Sequence, residues 1–211
     1  MKVYEIFESL QGESSYAGYP CIFVRTTGCN LRCRWCDSEY SYFDGVEYSC
    51  DNIAKRINSS KCGIVEFTGG EPLLQKDELI KTAAMINDNK TILVETNGSI
   101  SLNHLPEKLI KIVDIKLSGS GEKGSFIEDN LSYLSKKDEI KFVLDNISDY
   151  NEMRYFYKKY HLGNNCGVLV SKVSGSDLSD RKIAEKILSD GLNVRYQIQL
   201  HKYIWKDEKG R

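Results

Sequence analysis

Runs of β-branched and aromatic residues alternate along this chain with segments whose apolar residues recur at helical spacing, and that alternation restricts the fold most. The runs are CIFVRT (21–26), IVEFT (64–68), TILVET (91–96), IVDIKL (112–117), EIKFVL (139–144), CGVLVSKV (166–173) and LNVRYQIQL (192–200), all with strand composition. Between them DNIAKRINSS (51–60), KDELIKTAAMINDN (76–89), IEDNLSYLSKK (127–137), DYNEMRYFYKKY (149–160) and SDRKIAEKILSDG (179–191) read as helices, with a shorter one at PEKLI. In the last of the five, Ser179 or Asp180 is placed to cap the start and Gly191 to end it. Strands alternating with helices demand right-handed crossovers, hence an α/β fold with a parallel sheet. A closed eightfold barrel takes about 250 residues, and this chain has 211. The expectation is an incomplete, TIM-like barrel. No Pro-, Gly- or Ser-rich linker, low-complexity tract or fixed-period repeat divides it, so residues 1–211 read as a single domain.

Composition narrows the function classes. No run approaches the ~20 apolar residues that span a bilayer, and glutamates interrupt MKVYEIFESLQGES where a secretory signal needs an apolar stretch. The protein reads as cytoplasmic, with no membrane partner. The net charge of -1 comes from interspersed acids and bases, without the basic block that a nucleic-acid partner would call for. The tail KDEKGR (206–211) reads as a solvated terminus. Seven cysteines cannot all pair within the chain, and a reducing compartment turns a tight cluster toward metal or catalysis. Cys21, Cys50, Cys62 and Cys166 are scattered singly and read as small buried hydrophobes.

In parallel α/β folds ligands bind at the carboxyl ends of the strands. Those ends here carry Arg25, the run Thr68–Pro72, the run Glu95–Gly98, Lys116, Ser118 and Ser171. The same rim receives GCNLRCRWCDSEY (28–40), in which Cys29, Cys33 and Cys36 are spaced C-x3-C-x2-C directly after a strand. Thiolates suit zinc or iron–sulfur clusters. Structural zinc usually takes two C-x2-C pairs and ordinary 4Fe-4S carriers take four cysteines; this chain has no second pair, and Cys50 or Cys62 could supply a fourth ligand only singly. Three ligands leave one iron open to a small molecule.

That spacing resembles the signature of the radical S-adenosylmethionine (SAM) enzymes, which use an incomplete α/β barrel. The resemblance implies a 4Fe-4S cluster on Cys29, Cys33 and Cys36, with the methionine moiety of SAM on the open iron and a 5'-deoxyadenosyl radical formed by one electron. FTGGEP (67–72) is similar to the superfamily's glycine-rich motif, which makes Gly70 and Glu71 candidates for the methionine ammonium, and Trp35 and Asp37 stand with the cofactor. Lys116, Ser118 and Ser171 are candidates for its ribose or carboxylate, and are otherwise plain polar residues of the rim.

A closer resemblance covers residues 7–40. FESLQGESSYAGYPCIFVRTTGCNLRCRWCDSEY matches the pattern F-x-S-x-Q-G-E-G…G-x-P…F-V-R-x-x-G-C-N-L-x-C-x-W-C-D-T-x-Y of the 7-carboxy-7-deazaguanine synthases at nearly every fixed position, and VETNG, VDIKLSGSG and QLHKYIW extend it toward the C-terminus. The resemblance implies conversion of 6-carboxy-5,6,7,8-tetrahydropterin to 7-carboxy-7-deazaguanine with loss of ammonia, a radical SAM lyase reaction toward queuosine and other deazapurines, with SAM regenerated. It implies substrate contacts from Leu10, Gln11 and Gly12, Glu13 on the pterin edge, Arg25 on the carboxylate and Thr68 beside the ring. Glu95 is a further candidate for the pterin amino group, and Gln199 and His201 for the bottom of the site. It also implies Mg2+ held by Ser38, where the pattern has threonine; ESS at 13–15 is a second departure. A flavodoxin or ferredoxin as electron donor and a homodimer complete what the resemblance implies. Two other readings stay open: a radical SAM activase for a glycyl radical enzyme, and a non-enzymatic metal-cluster module.

Overall fold

A computed structural model describes residues 1–206, 208 and 210. One sheet holds all the strands: β1 Lys2–Leu10, β2 Pro20–Thr26, β3 Val46–Glu47, β4 Ile64–Gly69, β5 Thr91–Thr96, β6 Leu109–Asp114, β7 Glu139–Leu144, β8 Gly167–Lys172 and β9 Arg195–Tyr196. Their order is β3-β1-β2-β4-β5-β6-β7-β8-β9. β1 pairs antiparallel with β2 and β3, and from β2 to β9 every pairing is parallel. The edges do not meet, so the expected incomplete barrel is what forms. Helices α1 Cys50–Ser59, α2 Lys76–Ala84, α3 Ile147–Lys159 and α4 Asp180–Asp190 lie along the chain, with a short α5 at Leu200–Trp205. No helix among the described residues is long and apolar enough to cross a membrane.

The parallel strands are buried on both faces, as crossovers require. Val65, Phe67, Ile92 and Val94 point outward into the core shared with Ile53, Ile57, Leu79 and Met153 of the helices. Their neighbours Ile64 and Leu93 join Cys21, Phe23, Ile110 and Ile112 in a second apolar cluster, on the inner face. By the strands' two-residue period, the next inward positions are Glu66, Thr68, Glu95 and Asp114. The inner face is therefore apolar at the amino ends of the strands and polar at their carboxyl ends.

Several elements depart from expectation. β1 escapes the sequence patterns because its register shifts between Val3 and Glu5, and such a bulge breaks the two-residue alternation. β6 begins at Leu109, so PEKLI contributes to a strand, not a helix: Leu109 N donates to Pro106 O at 3.0 Å, a single turn too short to nucleate a helix. IEDNLSYLSKK forms only a 3-10 segment, Glu128–Tyr133, because the buried Asn130 side chain binds Leu102 N, Gly98 O and Ile100 O instead. α2 ends at Ala84, short of 89, and the expected strand 192–200 shrinks to β9 before α5 begins. α4 is capped as read, with Ser179 Oγ accepting from Lys182 N at 3.2 Å and Gly191 in the left-handed region.

Asp138 closes the amino end between β6 and β7. Its fully buried carboxylate accepts from Lys111 N, Ser135 N and Ser135 Oγ, each at 2.8 Å, and pairs with the Lys111 ammonium at 3.1 Å. Asp138→Ala strands a buried cation, which typically costs about 3–5 kcal/mol. Denaturant unfolding of the purified variant is expected to show that loss; a change below about 1 kcal/mol would mean the pair is solvated.

Candidate active site

Beyond Thr26 the chain turns across the carboxyl ends of the strands, and Cys29, Cys33 and Cys36 all line one cavity of about 640 Å³, within the ordinary range for small-molecule sites. The loop is packed against the glycine-rich turn after β4. A Cβ on Gly70 would stand 2.1 Å from Gly28 O and 2.8 Å from Cys29 Cβ, so only glycine fits there. Glu71 N donates to Gly28 O at 2.8 Å. All seven cysteines are unpaired thiols. Burial pushes the Cys33 thiol up to about 11, and raises Cys29 as well, so a metal bound at these thiols would displace protons. No set of three or more His, Cys, Asp or Glu side chains among the described residues is gathered for a single ion.

A charged network fills the inner face. The Lys141 ammonium, from β7, lies 2.8 Å from Glu13 Oε2 and 3.5 Å from Asp114 Oδ2, and also donates to Glu95 Oε1. Burial alone would neutralise Lys141, but Glu13, Glu95 and Asp114 outweigh it and raise its pKa well above the usual value. Burial likewise works against an ionised Glu13, yet Lys141 and the 2.6 Å hydrogen bond from Gln199 Nε2 hold its pKa below the usual one. Glu66 behaves oppositely. Fully buried and facing Glu95, it is pushed well above the carboxylate range and accepts from Gln11 Nε2. Lys116 pairs with Asp114 at 2.9 Å; burial lowers its pKa, but Asp114 and the Cys33 side chain raise it further.

Leu10, Gln11, Gly12, Glu13, Arg25, Trp35, Asp37, Ser38, Thr68, Gly70 and Lys116 line the cavity with the three cysteines. Arg25 lies between the rings of Phe7 and Tyr40, each 5.7 Å away, and its Nε donates to Glu5 Oε1 at 2.7 Å. The Ser38 hydroxyl lies 3.7 Å from Cys36 Sγ. Glu95, Gln199 and His201 line the same space. His201 packs on Gly12, whose Cβ would fall 2.0 Å from Nδ1, and burial lowers its pKa toward the neutral imidazole. Asp37 pairs with Lys202 at 3.3 Å, which overcomes burial and keeps its carboxyl low.

Three sequence candidates are placed elsewhere. The Glu71 carboxylate is fully buried and taken up by Leu73 N, Thr96 Oγ1 and Asn97 N at 2.7–2.9 Å, so it ties the turn after β4 to β5 and does not line the cavity. Ser118 donates from N and Oγ to Glu152 on α3. Ser171 is buried off the cavity wall, its Oγ without a hydrogen-bond partner among the described residues. Sequence reasoning missed Glu66, Asp114 and Lys141. Glu66 and Lys141 are charges inside largely apolar strands and Asp114 is the charged end of β6, a pattern that marks them as unusual without saying which way they face. The tail is also not simply solvated, since Lys206, Glu208 and Gly210 reach the cavity; positions 207, 209 and 211 lie outside the described residues.

The family model of the Radical SAM superfamily matches residues 23–154. The 7-carboxy-7-deazaguanine synthase of Koribacter versatilis is 42% identical, over 99% of this chain and 98% of that protein. That of Thermoplasma acidophilum is 38% identical over the full length of both. The crystal structure of QueE from Escherichia coli is similar with a TM-score of 0.74 over 93% of each chain, at 20% identity, a likeness of fold.

The raised pKa of Glu66 has a definite sign. The folded protein holds a proton that the unfolded chain releases near 4.5, so the stability from this group is complete below that value and declines as pH rises toward the folded pKa. Glu66→Gln stays neutral throughout. In denaturant titrations from about pH 5 to about pH 8 the original protein is expected to lose stability relative to E66Q as pH rises; parallel curves would show that the folded carboxyl is ionised.

Proposed function

The chain belongs to the 7-carboxy-7-deazaguanine synthases of the radical SAM superfamily, and from that premise we infer that its cavity contracts 6-carboxy-5,6,7,8-tetrahydropterin to 7-carboxy-7-deazaguanine with loss of ammonia. The observation that carries this reading is convergence: three thiols, a glycine-backed turn and a wall of paired carboxylates and cations line one cavity. When bound at the thiols, the 4Fe-4S cluster and SAM supply the 5'-deoxyadenosyl radical that abstracts hydrogen.

The chain's own residues bind and orient. On the cluster side Cys29, Cys33 and Cys36 are the ligands, and Gly69 and Gly70 bring backbone rather than side chain to the cavity wall beside them. Trp35, Asp37 and Lys116 complete that side. On the substrate side, a pterin presents a guanidine-like edge of N–H donors and a carboxylate. Glu13, Glu95 and Gln11 offer acceptors on the wall, and Arg25 offers a guanidinium whose plane is fixed by two rings and Glu5. Thr68, Leu10 and Gly12 shape the space for the ring. Lys141 sets the acceptors: by holding Glu13 and Glu95 together it prevents them from repelling each other or turning to solvent.

Magnesium fits this reading through Ser38. Its buried hydroxyl is a hard donor facing the cavity, and Mg2+ commonly takes one or two protein oxygens, completing its octahedron from water and substrate. The reading further includes a flavodoxin or ferredoxin as electron donor, a homodimer and a cytoplasmic setting, in which seven unpaired thiols are stable.

The deciding experiment is an anaerobic assay of reconstituted protein with reductant, SAM, Mg2+ and 6-carboxytetrahydropterin, read by mass detection of the deazaguanine. SAM cleavage without conversion of this pterin would defeat the substrate assignment. In the same assay Ser38→Ala is expected to require more magnesium for the same rate, and an unchanged metal response would remove Ser38 from the site. Lys141→Met leaves Glu13 and Glu95 without their shared cation and Asp114 with Lys116 alone; kcat/KM is expected to fall about 100-fold or more while iron content stays unchanged. Turnover within about 3-fold of the original would contradict the ordering role of Lys141.

A further inference from the structure

Around Cys33 the backbone is held from outside the cysteine loop. Arg32 N donates to Glu122 Oε1 at 2.6 Å and Arg34 N donates to Ser120 O at 3.0 Å. The N–H groups on either side of Cys33 thus both end on one turn, Ser118–Gly121 with Glu122, between β6 and β7. Trp35 rests on the same turn: a Cβ on Gly119 would come within 2.9 Å of its ring.

That turn is in turn anchored on α3. The fully buried Asp149 accepts from Gly119 N at 2.8 Å and from Asp145 N at 2.9 Å. Glu152 accepts from Ser118 N at 3.0 Å, Ser118 Oγ at 2.5 Å and Lys123 Nζ at 3.0 Å. Inside the turn, Ser120 Oγ donates to Leu117 O at 2.6 Å and accepts from Glu122 N at 3.1 Å, which aims the Glu122 side chain.

We propose that Glu122 is a positioning residue for the iron–sulfur cluster: its carboxylate and Ser120 O clamp the backbone on both sides of Cys33, so that the thiolate is held where the cluster needs it. Cys29 has its own support, from Gly28 and Gly70 on one side and from the Asn97 amide, 3.9 Å from its Sγ, on the other. The backbone of residues 32–34 makes the two bonds to the turn and accepts a 3.3 Å bond from Cys36 N at Cys33 O, which stays inside the loop, as do the bonds from Arg32 Nη1 to Cys29 O and Leu31 O. Cys33 is therefore the ligand whose placement depends on the clamp.

The inference rests on a cluster at the three thiols and not on the pterin assignment. The test compares anaerobically reconstituted full-length protein with Glu122→Ala and Glu122→Gln. The readouts are iron retained per chain under a chelator challenge and the electron paramagnetic resonance spectrum of the reduced cluster. Glu122→Ala is expected to lose iron about 10-fold faster with an altered spectrum, while Glu122→Gln, which keeps a carbonyl to accept from Arg32 N, behaves like the original. Thermal unfolding of the cluster-free proteins is expected to be the same for all three, which separates positioning from a general loss of stability. Iron loss from Glu122→Ala at the original rate overturns the proposal. So does equal loss from both variants, since that would make charge the cause, and so does a drop in thermal midpoint that parallels the iron loss. Original protein that never takes up iron would instead count against the superfamily reading itself.

Discussion

A buried ammonium holds the polar end of this barrel in place. Lys141 meets carboxylates from three other parts of the chain: Glu13 from the loop after β1, Glu95 from β5 and Asp114 from β6. Ions removed from water cost several kcal/mol each, so the arrangement stands only while its partners are present together. Its reach extends beyond the four groups. Glu13 also takes Gln199, and Leu200 N donates to Gly12 O at 2.9 Å, so one cation draws both terminal segments of the chain over the same cavity. Two lysines, Lys141 and Lys116, face three carboxylates, Glu13, Glu95 and Asp114, while burial keeps Glu66 toward its neutral form. The wall therefore carries an excess of acceptors, the complement of an N–H-rich heterocycle edge.

The same period-two geometry explains what could be read from the sequence and what could not. Strands such as TILVET and EIKFVL are legible because β-branched and aromatic residues crowd them, and their limits agree with β5 and β7. The charges within them are harder to place. Lys141 and Glu66 lie inside apolar runs, and composition alone cannot tell a residue facing a polar interior from one facing water. Only pairing decides it: Glu66 sits opposite Phe23 and Leu93, and Lys141 opposite Asp114. β1 was hidden for a related reason, since its bulge moves Val3 and Ile6 onto one face and Phe7 onto the other.

Motif residues show a different limit. The pattern around Gln11, Arg25 and the cysteines placed those side chains at the cavity because their spacing is tied to turns that the backbone makes directly on leaving a strand. Glu71 belongs to an equally specific motif, yet its carboxylate is consumed by Leu73 N, Thr96 Oγ1 and Asn97 N. A fixed acid next to a glycine pair marks a need for an acceptor. Whether that need is the ligand's or the fold's depends on donors arriving from β5, which lie far along the chain.

The cysteine loop is restrained in the same way. Its eight residues from Cys29 to Cys36 carry three thiols, and within the loop Cys36 N donates to Cys33 O at 3.3 Å while Leu31 N lies 3.4 Å from Cys29 Sγ. Such local bonds leave a short, partly exposed segment many conformations. The restraint comes from three directions: the glycine turn after β4, Asn97 after β5, and the turn after β6 that α3 anchors through Asp149 and Glu152. Each follows a successive strand of the parallel sheet, and each leaves its strand at the carboxyl end. Three thiols close together in sequence are thus arranged by the barrel rim, and for that reason the incomplete barrel, rather than the cysteine spacing alone, brings them to one cavity.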